Sequence, residues 1–182
     1  DNRKIFIIST KNHVYKGVVS LSQIDNLDKT CDISLLTDTK IEPLLTPYAG
    51  LEAIALISDF AFSKLNLRRI DCNFKASQKN WFQRMELLGY KFFFRSRYKT
   101  KLFSSIMVDK KFGDKKINNS AYFSSLSYED FKILKKKRGR LWDGLNLMKK
   151  RISKLPKQSF WDMNDKFIDN IKKKYYDKIG SL

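Results

Sequence analysis

Apolar positions come first in short alternating runs and only later in helical stripes. Lys4–Ser9 (KIFIIS), Val14–Ile24 and Cys31–Thr37 are strand-like runs. Polar turns at Lys11-Asn12-His13 and Asp25–Thr30 separate them. Three consecutive strands with short connections predict an antiparallel meander. Gly17 falls inside the second strand, where a bare backbone position marks a bulge.

The pattern then changes period. Thr46–Phe62 reads TPYAGLEAIALISDFAF, with Pro47 and Gly50 expected in a turn and a helix from Gly50 or Leu51 to about Leu65. Apolar residues cover nearly the whole circumference of that helix, which predicts burial in a core. Its N-terminus offers unpaired backbone N–H groups, the ordinary requirement for an anion site. Arg69–Phe74 alternates as a strand, and Ser77–Leu88 reads as a second amphipathic helix with Ser77 as its N-cap and Gly89 as its stop. Tyr90–Lys101 reads as a strand, Leu102–Val108 as its hairpin extension, Asp109–Asn119 as a charged loop and Ser120–Leu126 as a last strand. Strand–helix–strand–helix–strand after a meander predicts an α/β (α+β) fold on a mixed sheet.

From Ser127 the chain is helical. Ser127 and Asp130 have capping-pair spacing. Leu141, Leu145, Met148, Ile152 and Leu155 recur at helical intervals and predict one helix ended by Pro156. Phe160, Phe167, Ile171 and Tyr175 predict a further helix face, the obvious intrachain mate for that stripe, with an intermolecular mate as the other reading.

Composition adds bounds. The 182 residues suffice for one domain with a core and a small appendage. No apolar run approaches the roughly 20 residues of a membrane span. The start at Asp1, directly before a strand, suggests a piece of a longer chain. Cys31 and Cys72 lack metal-ligand spacing and read as buried reduced thiols, pointing to a cytoplasmic, reducing setting. With His13 as the only histidine, a histidine metal cluster is excluded, and no metal site is expected. The net charge of +18 is uneven: residues 131–182 hold 16 Lys/Arg against 5 Asp/Glu. The Lys-rich stretches 135–138, 149–151 and 172–174 read as solvated helix faces, with a nucleic-acid footprint as the other reading.

The order and spacing of several segments resemble the GNAT superfamily of acetyl-CoA-dependent N-acetyltransferases, and most nearly its ribosomal-protein and amino-sugar branch. The residues that carry the resemblance are Glu52-Ala53, Phe60-Ala61-Phe62, Leu65/Leu67/Arg69/Ile70, Leu88-Gly89-Tyr90 and Ser124–Phe131. It covers about 5–131, which marks residues 1–131 as a GNAT-like domain and 132–182 as a basic helical extension. The resemblance implies that the third strand splays from its neighbour and pairs through Leu35, Leu36 and Thr37 with the pantetheine arm. It implies that the loop and helix start (Tyr48, Ala49, Gly50, Leu51) receive the CoA pyrophosphate, with Gln78 of the second helix nearby. Asp32 stands at the family's strand-end carboxylate, as general base or as a solvated carboxylate. Glu52 reads as a carboxylate favoured by the helix dipole.

The sequence departs from the family in six places. In the second helix, Gln78 stands for an asparagine and Trp81 for a serine. Leu45 stands where the phosphate loop begins with a cation or amide, Tyr48 where it has its first glycine, and Met85 where many members carry a proton-donating tyrosine. The strand and two helices that precede the meander in the family have no counterpart here, and the C-terminal helices could fill part of their place. Two functions follow as expectations. One is N-acetylation of a primary amine, a protein N-terminus or an amino-sugar nucleotide. The other is a GNAT-fold module without catalysis that serves a ribonucleoprotein, with RNA or protein held by the basic C-terminal helices.

Overall fold

The computed structural model describes residues 2–37, 46–75, 79–96, 121–156 and 160–180. The expected segments Leu102–Val108 and Asp109–Asn119 lie outside the described residues, as do Leu45, Ser77 and Gln78.

Strands β1 (Lys4–Ser9), β2 (Tyr15–Asp25) and β3 (Thr30–Thr37) form the expected antiparallel meander. The first turn is closed by Thr10, whose carbonyl accepts from His13 N–H at 3.0 Å and whose hydroxyl accepts from Val14 N–H at 3.1 Å. In the second, the Asp25 carboxylate accepts from the N–H groups of Leu27 and Asp28. The register slips opposite Ile8 and Ser9, so Lys16 is the extra residue of a bulge beside Gly17. Gly17 has φ +149°, and a Cβ there would stand 2.2 Å from the Leu36 carbonyl oxygen, so only glycine fits.

Helix α1 (Thr46–Ser63) begins four residues ahead of Gly50. Pro47 and Gly50 therefore lie in the helix and not in a turn before it. Proline is tolerated in a first helical turn because its missing N–H would have no intrahelical acceptor. Strand β4 (Arg69–Lys75) and helix α2 (Lys79–Leu87) follow. Gly89, at φ +90°, ends the second helix as expected, and a Cβ there would also stand 2.4 Å from Leu134 Cδ1. Strands β5 (Lys91–Ser96) and β6 (Ala121–Ser127) complete a six-stranded sheet in the order β1-β2-β3-β4-β6-β5. The last strand thus inserts between its two predecessors and runs antiparallel to both.

Helix α3 (Tyr128–Arg138) starts on the expected cap: Ser127 Oγ accepts from Asp130 N–H at 3.1 Å. The stripe from Leu141 to Leu155 is not one helix. Helix α4 spans only Leu145–Ser153, because Gly139 and Gly144 adopt φ +80° and +112° and break the chain on either side of Leu141. Helix α5 (Phe160–Gly180) ends the described chain.

One core lies on one face of the sheet. Val19, Leu21, Cys31, Ile33, Ile70, Cys72 and Leu126 face Leu51, Ile54, Ala61 and Phe62 of α1 and Met85 of α2. Phe131 of α3 packs on Phe62 with ring centres 4.8 Å apart and planes tilted by 33°, and Leu141, Trp142 and Met148 join the same core. These three are thus buried in the domain's own core, while Phe167, Ile171 and Tyr175 of α5 are exposed.

Candidate functional site

The sheet comes apart at one place. Strands β3 and β4 are parallel but pair only at Thr30↔Arg69, Cys31↔Ile70 and Asp32↔Asp71. Beyond that rung β3 stays with β2 as far as Gly17↔Thr37, while β4 stays with β6 as far as Lys75↔Ala121. The two strands diverge into a wedge. Among the described strands, the peptide groups of Ile33–Thr37 on the β4 side have no ladder partner, and such an edge is able to hydrogen-bond an extended, amide-bearing chain.

The first turns of α1 close the wide end. A Cβ on Gly50 would stand 2.9 Å from Leu35 Cδ2, 3.0 Å from Trp81 Cη2 and 3.1 Å from Thr37 Cγ2. The helix start is thus seated directly on the end of β3, with α2 beside it, and the absent side chain is what permits the approach. No residue of the first turn of α1 is acidic, so the helix itself sets no negative charge against the positive end of its dipole. Leu51 is fully buried in the core.

Tyr48 packs partly against the core and carries a cation on its ring: Lys149 Nζ of α4 lies 5.5 Å from the ring centre. Sequence reasoning missed Lys149, since nothing in its local pattern announces contact with a residue a hundred positions earlier. The only available signal was the lack of a cation at Leu45.

At the narrow end, Asp32 and Asp71 occupy the last shared rung. Their neighbours Cys31 and Ile70 point into the core, so both carboxylates belong to the opposite face of the sheet. Arg69 Nε pairs with Asp71 at 3.0 Å. Asp71 was not singled out from the sequence, because its closeness to Asp32 depends on the parallel register. Burial, reinforced by the charges of Asp32 and Asp71, pushes the Cys31 thiol up to about 12. Burial does the same to Cys72, also to about 12, although the Ser124 hydroxyl at 2.9 Å pulls it down. Neither is a thiolate nucleophile at neutral pH. Met85 is buried in the core and has no proton to give. Among the described residues no cluster of His, Cys, Asp and Glu has the makings of a metal site.

A second concavity, of about 640 Å³, lies along another face of α1, between that helix and β1–β2. Phe6, Ile8, Phe60 and Leu145 give it an apolar wall, and Glu52 reaches it from the helix. Burial raises the Glu52 carboxyl above its usual range, and Arg140 moderates the shift. Gly50 faces the wedge, while Tyr48, Ala49, Ala53 and Leu56 line this cavity.

No protein-family model and no curated protein matches the sequence. Solved structures do match in shape. Among them are spermidine N-acetyltransferases from Vibrio cholerae. One, a variant with a single phenylalanine replaced by alanine, superposes with a TM-score of 0.56 at 13% identity over 75% of this chain and 71% of that one. Another, in which glutamates are replaced by glutamine, gives 0.59 at 11% identity over 74% and 72%. A third, in complex with CoA and spermine, gives 0.57 at 12% identity over 71% and 68%. The fold is that of the GNAT acetyltransferases. The wedge between β3 and β4 therefore sits in a sheet whose order and flanking helices are shared with that fold.

Proposed function

We propose that this chain is an acetyl-CoA-dependent N-acetyltransferase acting on a primary amine. The observation that carries the reading is the three-rung β3–β4 ladder opening into a wedge under the start of α1. In this reading the pantetheine amides pair with the open edge at Leu35, Leu36 and Thr37, and the pyrophosphate lies at the first turn of α1, on the N–H groups of Tyr48 and Ala49. Gly50 admits the cofactor by keeping the helix close to β3. Lys149 supplies the cation that the loop itself lacks at Leu45. Leu51 backs the helix from the core.

The thioester is then delivered towards Asp32 and Asp71, and the amine approaches from the face of the sheet that carries them. The amine nitrogen attacks the acetyl carbonyl carbon, the C–S bond breaks, and CoA leaves as thiolate. Asp32 takes the ammonium proton, directly or through water, before the attack. With Met85 in place of a proton donor, the proton that the nitrogen still carries after attack passes to water as the amide forms, and water returns a proton to the departing thiolate.

A chain of net charge +18 disfavours the approach of a free polycation and favours an acceptor that carries negative charge of its own. An amino-sugar nucleotide or the N-terminus of an acidic or RNA-bound protein fits that requirement. The spermidine acetylated by the structural neighbours fits it less well.

The test is direct. Acetyl-CoA at a hundred times its Kd should stabilise the protein by about 2.7 kcal/mol in a thermal-shift titration. Thiol release in the presence of candidate amines should follow. No shift at millimolar acetyl-CoA would sink the proposal and leave the non-catalytic, RNA-associated module as the better reading.

A further inference from the structure

Helix α5 presents an apolar stripe to solvent. Phe167, Ile171, Tyr175 and Ile179, each one turn beyond the last, are 63%, 51%, 59% and 46% exposed. At 21 residues the helix is about 31 Å long. A lone helix with an uncovered stripe of this kind gains little from folding in water, because most helical stability comes from tertiary packing. The stripe calls for a partner.

The charge pattern says which one. Residues 160–170 contain Asp162, Asp165 and Asp169 against Lys166, and residues 171–180 contain Lys172, Lys173, Lys174 and Lys178 against Asp177. The first half is net −2, the second net +3, and the whole helix only +1. A nucleic acid or an anionic membrane surface would ask for one sign along the whole face, and this helix has both. No described helix is long and apolar enough to cross a membrane. The segregation also suits the helix's own dipole, but the dipole leaves the apolar stripe uncovered. A second copy of the same helix laid antiparallel answers both features: each acidic half meets a basic half, whereas a parallel pair would set like charges together.

We infer that α5 is a self-association element, which joins two chains as an antiparallel helix pair about a two-fold axis near Ile171. With the axis there, Ile171 packs on its own mate and Phe167 of one chain faces Tyr175 of the other. The interface is isologous and closes at two chains.

The experiment is sedimentation of the full 182-residue chain between 1 and 100 μM, with circular dichroism to confirm retained helix. The wild-type chain is expected to dimerise, and Ile171→Asp to weaken the dimer at least tenfold. Two charge variants separate this interface from any other. Lys173→Glu with Lys174→Glu makes both halves acidic, and Asp165→Lys with Asp169→Lys makes both basic. Each alone should dimerise at least tenfold more weakly than wild type, and an equimolar mixture should recover a dimer. A wild-type chain that stays monomeric at 100 μM overturns the inference, as does a dimer indifferent to Ile171→Asp or a mixture no tighter than its components. Phosphatidylglycerol vesicles serve as the competing surface. A monomeric wild type that binds them through Ile171 would make α5 a membrane-surface helix instead.

Discussion

Lys149 Nζ stands over the Tyr48 ring, 5.5 Å from its centre, and so ties the last third of the chain to the start of the helix that roofs the wedge. If Lys149 neutralises phosphate there, Lys149→Ala should weaken acetyl-CoA binding roughly three- to tenfold. Lys149→Glu should weaken it further, with little change in melting temperature. Calorimetric titration at two salt concentrations checks this: the wild-type affinity should fall more steeply with salt than that of the alanine variant. Equal affinities would place the phosphates elsewhere.

The seat of α1 on β3 depends on the lack of a side chain at Gly50. Gly50→Val should force Leu35, Thr37 and Trp81 apart, costing ~1–3 kcal/mol of stability and loosening acetyl-CoA binding as the helix start lifts from the strand. Chemical denaturation and the thermal-shift titration read the two effects separately. A variant as stable and as tightly bound as wild type would show that the close approach is dispensable.

Asp32 and Asp71 share one rung but are assigned different work. Asp32→Asn should lower turnover on the order of a hundredfold while leaving acetyl-CoA affinity unchanged. Single-turnover rates with pre-bound acetyl-CoA should show the same loss, since the defect lies in the chemical step. Asp71→Asn, which releases Arg69, should act mainly through KM for the amine. If Asp71→Asn lowered turnover and Asp32→Asn did not, the two roles would be exchanged.

A fourth expectation concerns stability. Asp143 is held by a bidentate pair with the Arg151 guanidinium, at 2.5 Å on each oxygen. That contact, against a smaller opposing effect of burial, lowers the Asp143 carboxyl below its usual range. A lowered folded-state pKa gives stability that is fully present above the unfolded value, about pH 3.9. It is lost as pH falls through the folded one. Asp143→Asn should therefore lower the melting temperature by roughly 2–5 °C at neutral pH, and the difference should shrink towards zero as both proteins are acidified. A constant difference across pH would mean that the pair contributes packing alone.

Much of the fold was legible because periodicity and turn chemistry agreed. The meander follows from alternation between Asn/Asp-rich turns, and Gly17, Gly89 and Ser127 each sit where a bulge, a stop and a cap were expected. The start of α1 was misread because Pro47 and Gly50 look like turn residues, whereas a proline in the first helical turn loses no hydrogen bond and Gly50 is required by what lies opposite it. The Leu141–Leu155 stripe misled for the converse reason: its spacing is helical, but Gly139 and Gly144 interrupt it, and Leu141 reaches the core from a connecting segment. The wedge itself cannot be read locally. Which rungs β3 and β4 share is decided by their pairing with β2 and β6, and the meeting of Asp32 with Asp71 is set there as well.

The place of β6 between β4 and β5 has a consequence for the order in which the molecule can be made. All of β4 from Arg69 to Lys75 leans on β6, and among the described strands β5 has no other partner at all. While the chain is being synthesised, the meander and α1 can settle as soon as they emerge. Among the described strands, β4 then has only its three rungs on β3, and the aromatic run at Phe92–Phe94 has none to join until Ser127 has left the ribosome. Such late, long-range pairing is slow and leaves strand edges open to wrong partners. Nascent chains halted before Ala121 should accordingly be cut by protease within 69–96 and resist it within 4–37, and the site between β3 and β4 would be the last part of the domain to exist.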